Sequence, residues 1–488
     1  MARVCVIGAG AGGLAVAARL GAKRHDVTLL EASDRVGGKL RTVRRDGFAF
    51  DAGPSLFTLP AVYRDLFLKT GPPLEQEVDL QECEPGFRYR FADGTVLDLP
   101  GSSMGRTVAA LGRQLPDPAA AEWRSLMDRA ADIWRLTRTD VLGTAIDGRR
   151  QLLTLARPRD LRTVAPWRSL HDMGSDLSDP RLRMVLDRYA TYSGSQPTQA
   201  PGALVTIPFV ETTFGLWHIG GGLGTLADAL QRRCEKAGVT IRLGTRVAAI
   251  DHSHGTVTGV TTTTGEHLAA DIVIPAGDSR LLPELLGTAS SRRTDTESYS
   301  GFTIMAAVDG TTPDARHHTV WFPADYAGEF RDLAAGRPVA DPAIYVCRPD
   351  DPAMAPDGAE AWCVLVNAPR HAPGAPDGHD WSDPLANEAY ADRIFDILAA
   401  RGTDIRDRVR WRMLQTPADL GAHDGTGDGA IYGTAAHGAL SVLRRARNRG
   451  PLTGLYQVGG TAHPGGGLPL VGMGAEIVAE DIGRADRT

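Results

Sequence analysis

Cysteine is scarce in this chain. There are five in 488 residues (Cys5, Cys83, Cys234, Cys347 and Cys363), widely separated and with no CxxC pair. That excludes a disulfide framework and leaves buried, reduced thiols, the pattern of a cytoplasmic protein. Positive charge is short as well: 53 Lys and Arg face 59 Asp and Glu, a net charge of −6. Nothing draws the whole chain to nucleic acid, and any affinity for a membrane or an anion has to come from a local patch. Outside the N-terminus no window supplies the ~18 uninterrupted apolar residues of a spanning helix. No repeat of fixed period and no Ser/His/Asp set is visible. Among 13 histidines, His317 and His318 are adjacent on an expected strand, where they would point to opposite faces and could not share a metal. His252 and His254 sit in a turn-like DHSHG, and no metal site is expected.

What is present begins at once. MARVCVIGAGAGGLAVAARLGA imitates a signal peptide, but glycines at fixed spacing and Arg19 break its apolar run, which leads straight into another strand. Arg3 to Ile7 reads as a buried strand. Gly8, Gly10 and Gly13 have the G-x-G-x-x-G spacing at the mouth of a helix, whose free amides and positive dipole end face a pyrophosphate. The second strand, DVTLLE, ends at Glu31, eighteen residues after Gly13, where an acid can accept hydrogen bonds from a ribose. Together these predict a dinucleotide site without choosing between NAD and FAD. EASDRVGGKLRT then sets Arg35, Gly37, Gly38, Lys39 and Arg41 just past that acid, with cations able to offset diphosphate charge. GFAFDAGPSLF adds a tight turn at Gly53, Pro54 and Ser55.

The run GAGAGGLAVAARL…VTLLEASDRVGGKLRT…FDAGPSLF resembles the flavoprotein superfamily of amine oxidases and carotenoid desaturases. The ending VGGTAHPGGGLPLVGMGAE is similar to that of phytoene desaturase-type enzymes. So are LDRYATYSGSQPTQAPGAL (186–204), FGLWHIGGGLGTLADAL (214–230), HHTVWFPADYAGEF (317–330) and the segment 341–369, in the family's order. Lys39 departs from it, since many members carry arginine there, and LRRARNRGP (443–451) is a loose version of the family's segment.

The resemblance implies an α/β fold: a Rossmann-like FAD-binding domain of the glutathione reductase type, interleaved with a mixed α+β substrate domain. The FAD-binding pieces are expected at 1–85, 215–295 and 450–488. A helical, membrane-facing insertion is expected at 86–214 and a sheet-containing substrate domain at 296–449. FAD would be held non-covalently, with Val247 reading adenine through its backbone. Gly454–Gly460 would be a strand, and a helix VGMGAEIVAEDI would follow the loop. Gly459, Gly460, Leu470, Val471 and Gly472 would cover the ring, the first helical amides favouring negative charge there. His463 lies in that loop; a structural hydrogen bond is the favoured reading and proton transfer the weaker one. RHAPGAPDGHDWSDP is expected as an exposed connection.

The activity so implied is removal of hydride and proton from a saturated bond of a phytoene-like polyene, with oxygen or a quinone as terminal acceptor. A different polyene, such as a carrier-bound polyketide chain, is the alternative within enzymes. A prenyl-binding escort without redox activity is the alternative outside them. Between Ile133 and Leu170, Arg135, Arg138, Arg149, Arg150, Arg157, Arg159, Arg162 and Arg168 alternate with leucines, Trp134 and Trp167. That composition suits either a solvated helix face or a helix in a bilayer interface, so the protein is expected in the cytoplasm, peripherally associated with a membrane.

Overall fold

A computed structural model of the chain describes residues 1–146, 148, 157–288 and 297–485. Four parallel strands form the first sheet, in the order Thr240–Arg242, Asp26–Leu30, Arg3–Ile7 and Ile272–Pro275. The aliphatic strand RVCVI is buried on both faces: Val4 and Val6 pack on the helices Ala11–Ala22 and Leu468–Ile482, and Cys5 packs on the antiparallel strands Val247–Ser253 and Thr256–Thr262. The helix Ala11–Ala22 packs beside the last helix, Leu468–Ile482, and buries Leu14, Ala15, Ala18 and Val478 in a common core. The expected strand at 454–460 forms no ladder of its own. It runs along Ile272–Pro275, with Tyr456 N donating to Val273 O (3.0 Å) and Val458 N to Pro275 O (3.1 Å).

The second sheet has seven strands: Val409–Gln415, Ser300–Asp309, Ala359–Ala368, Ile344–Cys347, His318–Trp321, Phe87–Arg90 and Val96–Leu99. The insertion expected as helical at 86–214 therefore opens with two strands that complete the edge of the sheet built from 300–415. The apolar strand SGFTIMAAVD follows from its two coverings. Ile394, Phe395 and Leu398 of the helix Pro384–Ala400 lie on one face, and Phe48 and Phe50 of the hairpin Thr42–Asp51 on the other. The helices Met104–Gln114, Ala119–Thr137, Pro180–Arg188 and Thr206–Phe214 enclose a third core around Trp123.

One sequence expectation needs correction. Ile133–Leu170 is not one helix. The first helix ends at Thr137, a short one spans Pro158–Val164, and Ala165 takes a left-handed φ of 45° before the exposed Trp167. Arg149 and Arg150 lie outside the described residues. The connection RHAPGAPDGHDWSDP is mostly exposed, as expected, and is pinned at one point, where Trp381 is buried and donates Nε1–H to Pro369 O at 2.9 Å. Among the described residues no helix is long and apolar enough to cross a membrane.

Candidate functional site

The N-terminal loop is built for close approach. Gly8 takes φ +101°, and a Cβ at Gly13 would overlap the Gly8 carbonyl oxygen, so only glycine lets the helix start so near the strand. The first intrahelical bond is Leu14 N to Gly10 O (3.0 Å). The amides of Ala11, Gly12 and Gly13 are thus left at the helix mouth. Glu31 is fixed beside them: Oε2 accepts from Ala9 N (2.7 Å), and Oε1 from Ser33 N and Oγ (2.8 Å each). Gly37 N donates to Ala9 O at 2.8 Å, and Gly38 stands over Gly10. Gly8, Gly10, Gly13, Glu31, Gly37 and Gly38 are brought together.

The cations are shared with a segment that sequence reasoning placed in the substrate domain. Lys39 Nζ pairs with Asp424 (3.1 Å) and reaches Ile431 O (3.4 Å). Arg41 Nη1 lies 3.2 Å from His423 Nδ1. Burial, followed by the Arg35 charge, lowers the Arg41 guanidinium from its ordinary value; burial, followed by the Arg41 charge, lowers His423. Arg35 is exposed beside Asp34. The Gly53 turn lies on the Lys39 carbonyl, and after Pro54 the Ser55 side chain meets the buried Cys363 thiol of the second sheet. Val247 begins the strand Val247–Ser253 at a bulge, where one extra residue interrupts the ladder to Thr262 and Thr261.

The second glycine loop folds back onto the first. A Cβ on Gly12 would stand 3.3 Å from both N and Cα of Gly459, itself at φ +120°. Gly460 stands open apart from Gly466. The last helix begins at Leu468, three residues before the expected start, because Gly467 at φ +93° already accepts from Val471 N (3.0 Å). The amides free at its mouth are those of Leu468 and Leu470, and Pro469 has none. Val471 is inside the helix, and Gly472 faces its neighbour: a Cβ there would lie 2.6 Å from Val62 Cγ1. Gly472→Ala is expected to overpack that contact by about 1–3 kcal/mol and to lower the melting temperature by a few degrees; an unchanged thermal melt would contradict the packing role.

Three residues around this loop escaped or were only half read from the sequence. Arg445 donates Nη1–H to Gly460 O (3.3 Å) and Tyr432 O (3.4 Å), with its guanidinium against Gly465. Among the described residues no carboxylate pairs with it, although burial lowers its pKa. Tyr432 presses its ring onto Gly466, and burial pushes its hydroxyl up to about 12. His463 is buried and donates Nε2–H to Thr144 O (3.1 Å), while its own carbonyl accepts from Asn448 Nδ2 (2.8 Å). Burial lowers its pKa, and the ring positions the loop. Nothing in LRRARNRGP marks which arginine turns inward.

An extended dinucleotide fits these donors. The two loops offer helix-mouth amides at two ends, an anchored carboxylate at the ribose distance, and, over the second loop, a guanidinium with no carboxylate partner among the described residues. The adjacent histidines overturn their expectation. The strand starts only at His318, so alternation does not govern His317; the rings lie 4.5 Å apart, and their ligand atoms are within 4.8 Å of Cys83 Sγ.

Two buried carboxyls, on the helices Thr206–Phe214 and Tyr326–Ala334, make stability depend on pH. Burial pushes Glu211 and Glu329 each up to about 7, against hydrogen bonds from Tyr189 and Asn367. The folded state therefore keeps protons that the unfolded chain releases above its ordinary value of 4.5. This contribution is whole below that value and is lost as pH rises through about 7. Wild type is expected to lose on the order of 3 kcal/mol relative to Glu211→Gln between pH 5 and 8, read by denaturant melts at each pH. Parallel profiles would contradict it.

With the geometry in view, comparisons with known proteins agree. The family model described as flavin containing amine oxidoreductase matches residues 11–314. The chain is 33% identical to the 4,4'-diapolycopene oxygenase of a Methylomonas species, over 98% of each chain. It is 33% identical to the hydroxyneurosporene desaturase of Cereibacter sphaeroides, over 98% of this chain and 97% of that one. An oxidoreductase from Methanosarcina mazei shares the fold with a TM-score of 0.65 at 18% identity, covering 98% of this chain and 100% of that one.

Proposed function

The chain belongs to the flavin containing amine oxidoreductase family, among its phytoene desaturase-type flavoproteins, and on that premise we propose that it desaturates a long isoprenoid polyene of the carotenoid-precursor class. It is an FAD-dependent oxidoreductase. The observation that carries the reading is the meeting of the two glycine loops, Gly12 against Gly459, which supports one dinucleotide site shared by both loops.

When bound, FAD supplies a hydride acceptor. The chain's own residues do the rest. The amides of Ala11, Gly12 and Gly13 and the Glu31 carboxylate would hold the nucleotide end. Arg445 and the amides of Leu468 and Leu470 would place positive potential where the reduced ring gathers charge. The second sheet and its helices present an apolar, water-excluding core to a hydrocarbon and orient it. The substrate cation left by hydride loss is allylic, so its neighbouring proton is acidic without a dedicated base. Trp167, 69% exposed beside Arg157, Arg159 and Arg162, supports a peripheral membrane contact through which such a substrate arrives.

The test is product analysis after incubation of the FAD-loaded protein with phytoene in liposomes. A product lighter by two hydrogens and absorbing further to the red is expected. A product heavier by one oxygen would make the protein an oxygenase, and no product from any polyene would overturn the reading.

A further inference from the structure

Away from the two glycine loops, one sulfur and two imidazoles meet where two sheets join. Cys83 follows the strand Leu80–Glu82, which pairs with Leu216–Ile219 in a three-stranded sheet. His318 opens the strand His318–Trp321 of the seven-stranded sheet, and His317 precedes it. Because His317 stands outside that strand, pleat alternation does not separate the two rings, and their centroids lie 4.5 Å apart. Cys83 Sγ and one nitrogen of each ring all lie within 4.8 Å of one another.

Two further observations point to a ligand. His318 is fully buried; its Nδ1 is taken by Tyr345 Oη (2.9 Å), while its Nε2 has no hydrogen-bond partner. A buried polar atom left bare costs stability and asks for an explanation. This is the arrangement of a metal-binding histidine, in which a second residue holds the far nitrogen so that the near one presents its lone pair. The other observation is access. An open groove of about 530 Å³ is lined by Cys83 and His317, together with Glu82, His218 and Asp350, and it gives an ion a way in. His218, whose ring lies 4.9 Å from that of His317, is already engaged by Asp351 (2.8 Å). That leaves three donors.

The donor set selects the ion. Mg²⁺ and Ca²⁺ demand oxygen ligands, whereas thiolate and imidazole suit Zn²⁺. A second thiol, Cys347, stands directly across the ladder from His318 and keeps the neighbourhood sulfur-rich. Zn–S of about 2.3 Å and Zn–N of about 2.0–2.1 Å set tetrahedral donors roughly 3.5 Å apart. The ion therefore has to draw the three inward by up to roughly 1.3 Å from their present spacing. We propose that Cys83, His317 and His318 form a Zn²⁺ site whose fourth position faces the groove. Cys83 binds as the thiolate, its proton passing to solvent, and the ion ties the three-stranded sheet to the seven-stranded one.

The test uses the FAD-loaded full chain, stripped with a chelator and dialysed against Zn²⁺ or Co²⁺. Wild type is expected to hold one Zn²⁺ per chain and to melt a few degrees higher with it. Co²⁺ should give a thiolate-to-metal charge-transfer band and tetrahedral bands to the red of the flavin. Cys83→Ser should abolish the charge-transfer band, and both Cys83→Ser and His317→Gln should weaken Zn²⁺ binding by at least roughly tenfold. His252→Gln, at an exposed histidine elsewhere, should leave binding unchanged. FAD content and metal-free melts check folding, and His317→Gln decides if Cys83→Ser does not fold. No Zn²⁺ held by wild type, or binding that survives both changes, overturns the site; a melt that Zn²⁺ does not raise overturns the tie between the sheets. None of these readouts needs turnover, so the site stands or falls separately from the desaturase reading.

Discussion

Gly13→Val is expected to give a protein that purifies without FAD. The valine Cβ would overlap the Gly8 carbonyl oxygen and stand 3.1 Å from Ala276 Cβ, and both obstacles belong to the strand ends that frame the loop. Relief requires the helix Ala11–Ala22 to move away from the strand, which carries the three free amides out of line with Glu31. Overpacking of this kind costs about 3 kcal/mol, equivalent to roughly 10²-fold weaker FAD binding. Gly105→Ala provides the control, because Gly105 lies in the helix Met104–Gln114 and a Cβ there meets nothing within 4 Å. It should keep the flavin and gain slight stability, since alanine orders more cheaply in a helix. The flavin-to-protein absorbance ratio reads both, and a yellow Gly13→Val protein would contradict the cradle.

Arg445→Met should do the opposite: keep FAD and lose rate. Its guanidinium contacts the loop through the Gly460 and Tyr432 carbonyls and has no carboxylate to spend its charge on among the described residues. Removing one preorganised electrostatic donor of this kind costs about 10²–10³ in kcat. The bound flavin should also become harder to reduce, by about 30 mV for each tenfold change in the two-electron equilibrium. Arg445→Lys should recover part of both losses. If the methionine variant keeps its rate and potential, Arg445 only holds the loop.

Much of the nucleotide end was legible because covalent spacing fixes it. Gly8, Gly10, Gly13 and Glu31 are set by the pitch of one helix and the length of two strands, so a local pattern suffices. The ring end was legible only through its resemblance to a family, and with a helix start three residues late, because Gly467 extends the helix by a turn that LPLV does not announce. Lys39, Arg41 and Arg445 show what spacing cannot reveal. Their partners, Asp424, His423 and Gly460, come from segments of the chain brought together only by folding. The His317–His318 expectation failed for a similar reason, since alternation applies within a strand and His317 precedes it. Arg188 looked like an ordinary polar residue of LDRYATYSG until folding buried it among aromatic rings.

The most direct measurement is an absorption spectrum of the purified FAD-loaded protein, titrated without oxygen by a carotenoid-precursor polyene in liposomes. Bleaching of the oxidised flavin band in step with the appearance of a redder polyene, one flavin reduced per double bond formed, is expected. A flavin that stays oxidised while the polyene is bound, or a protein that cannot take up FAD, would contradict the desaturase.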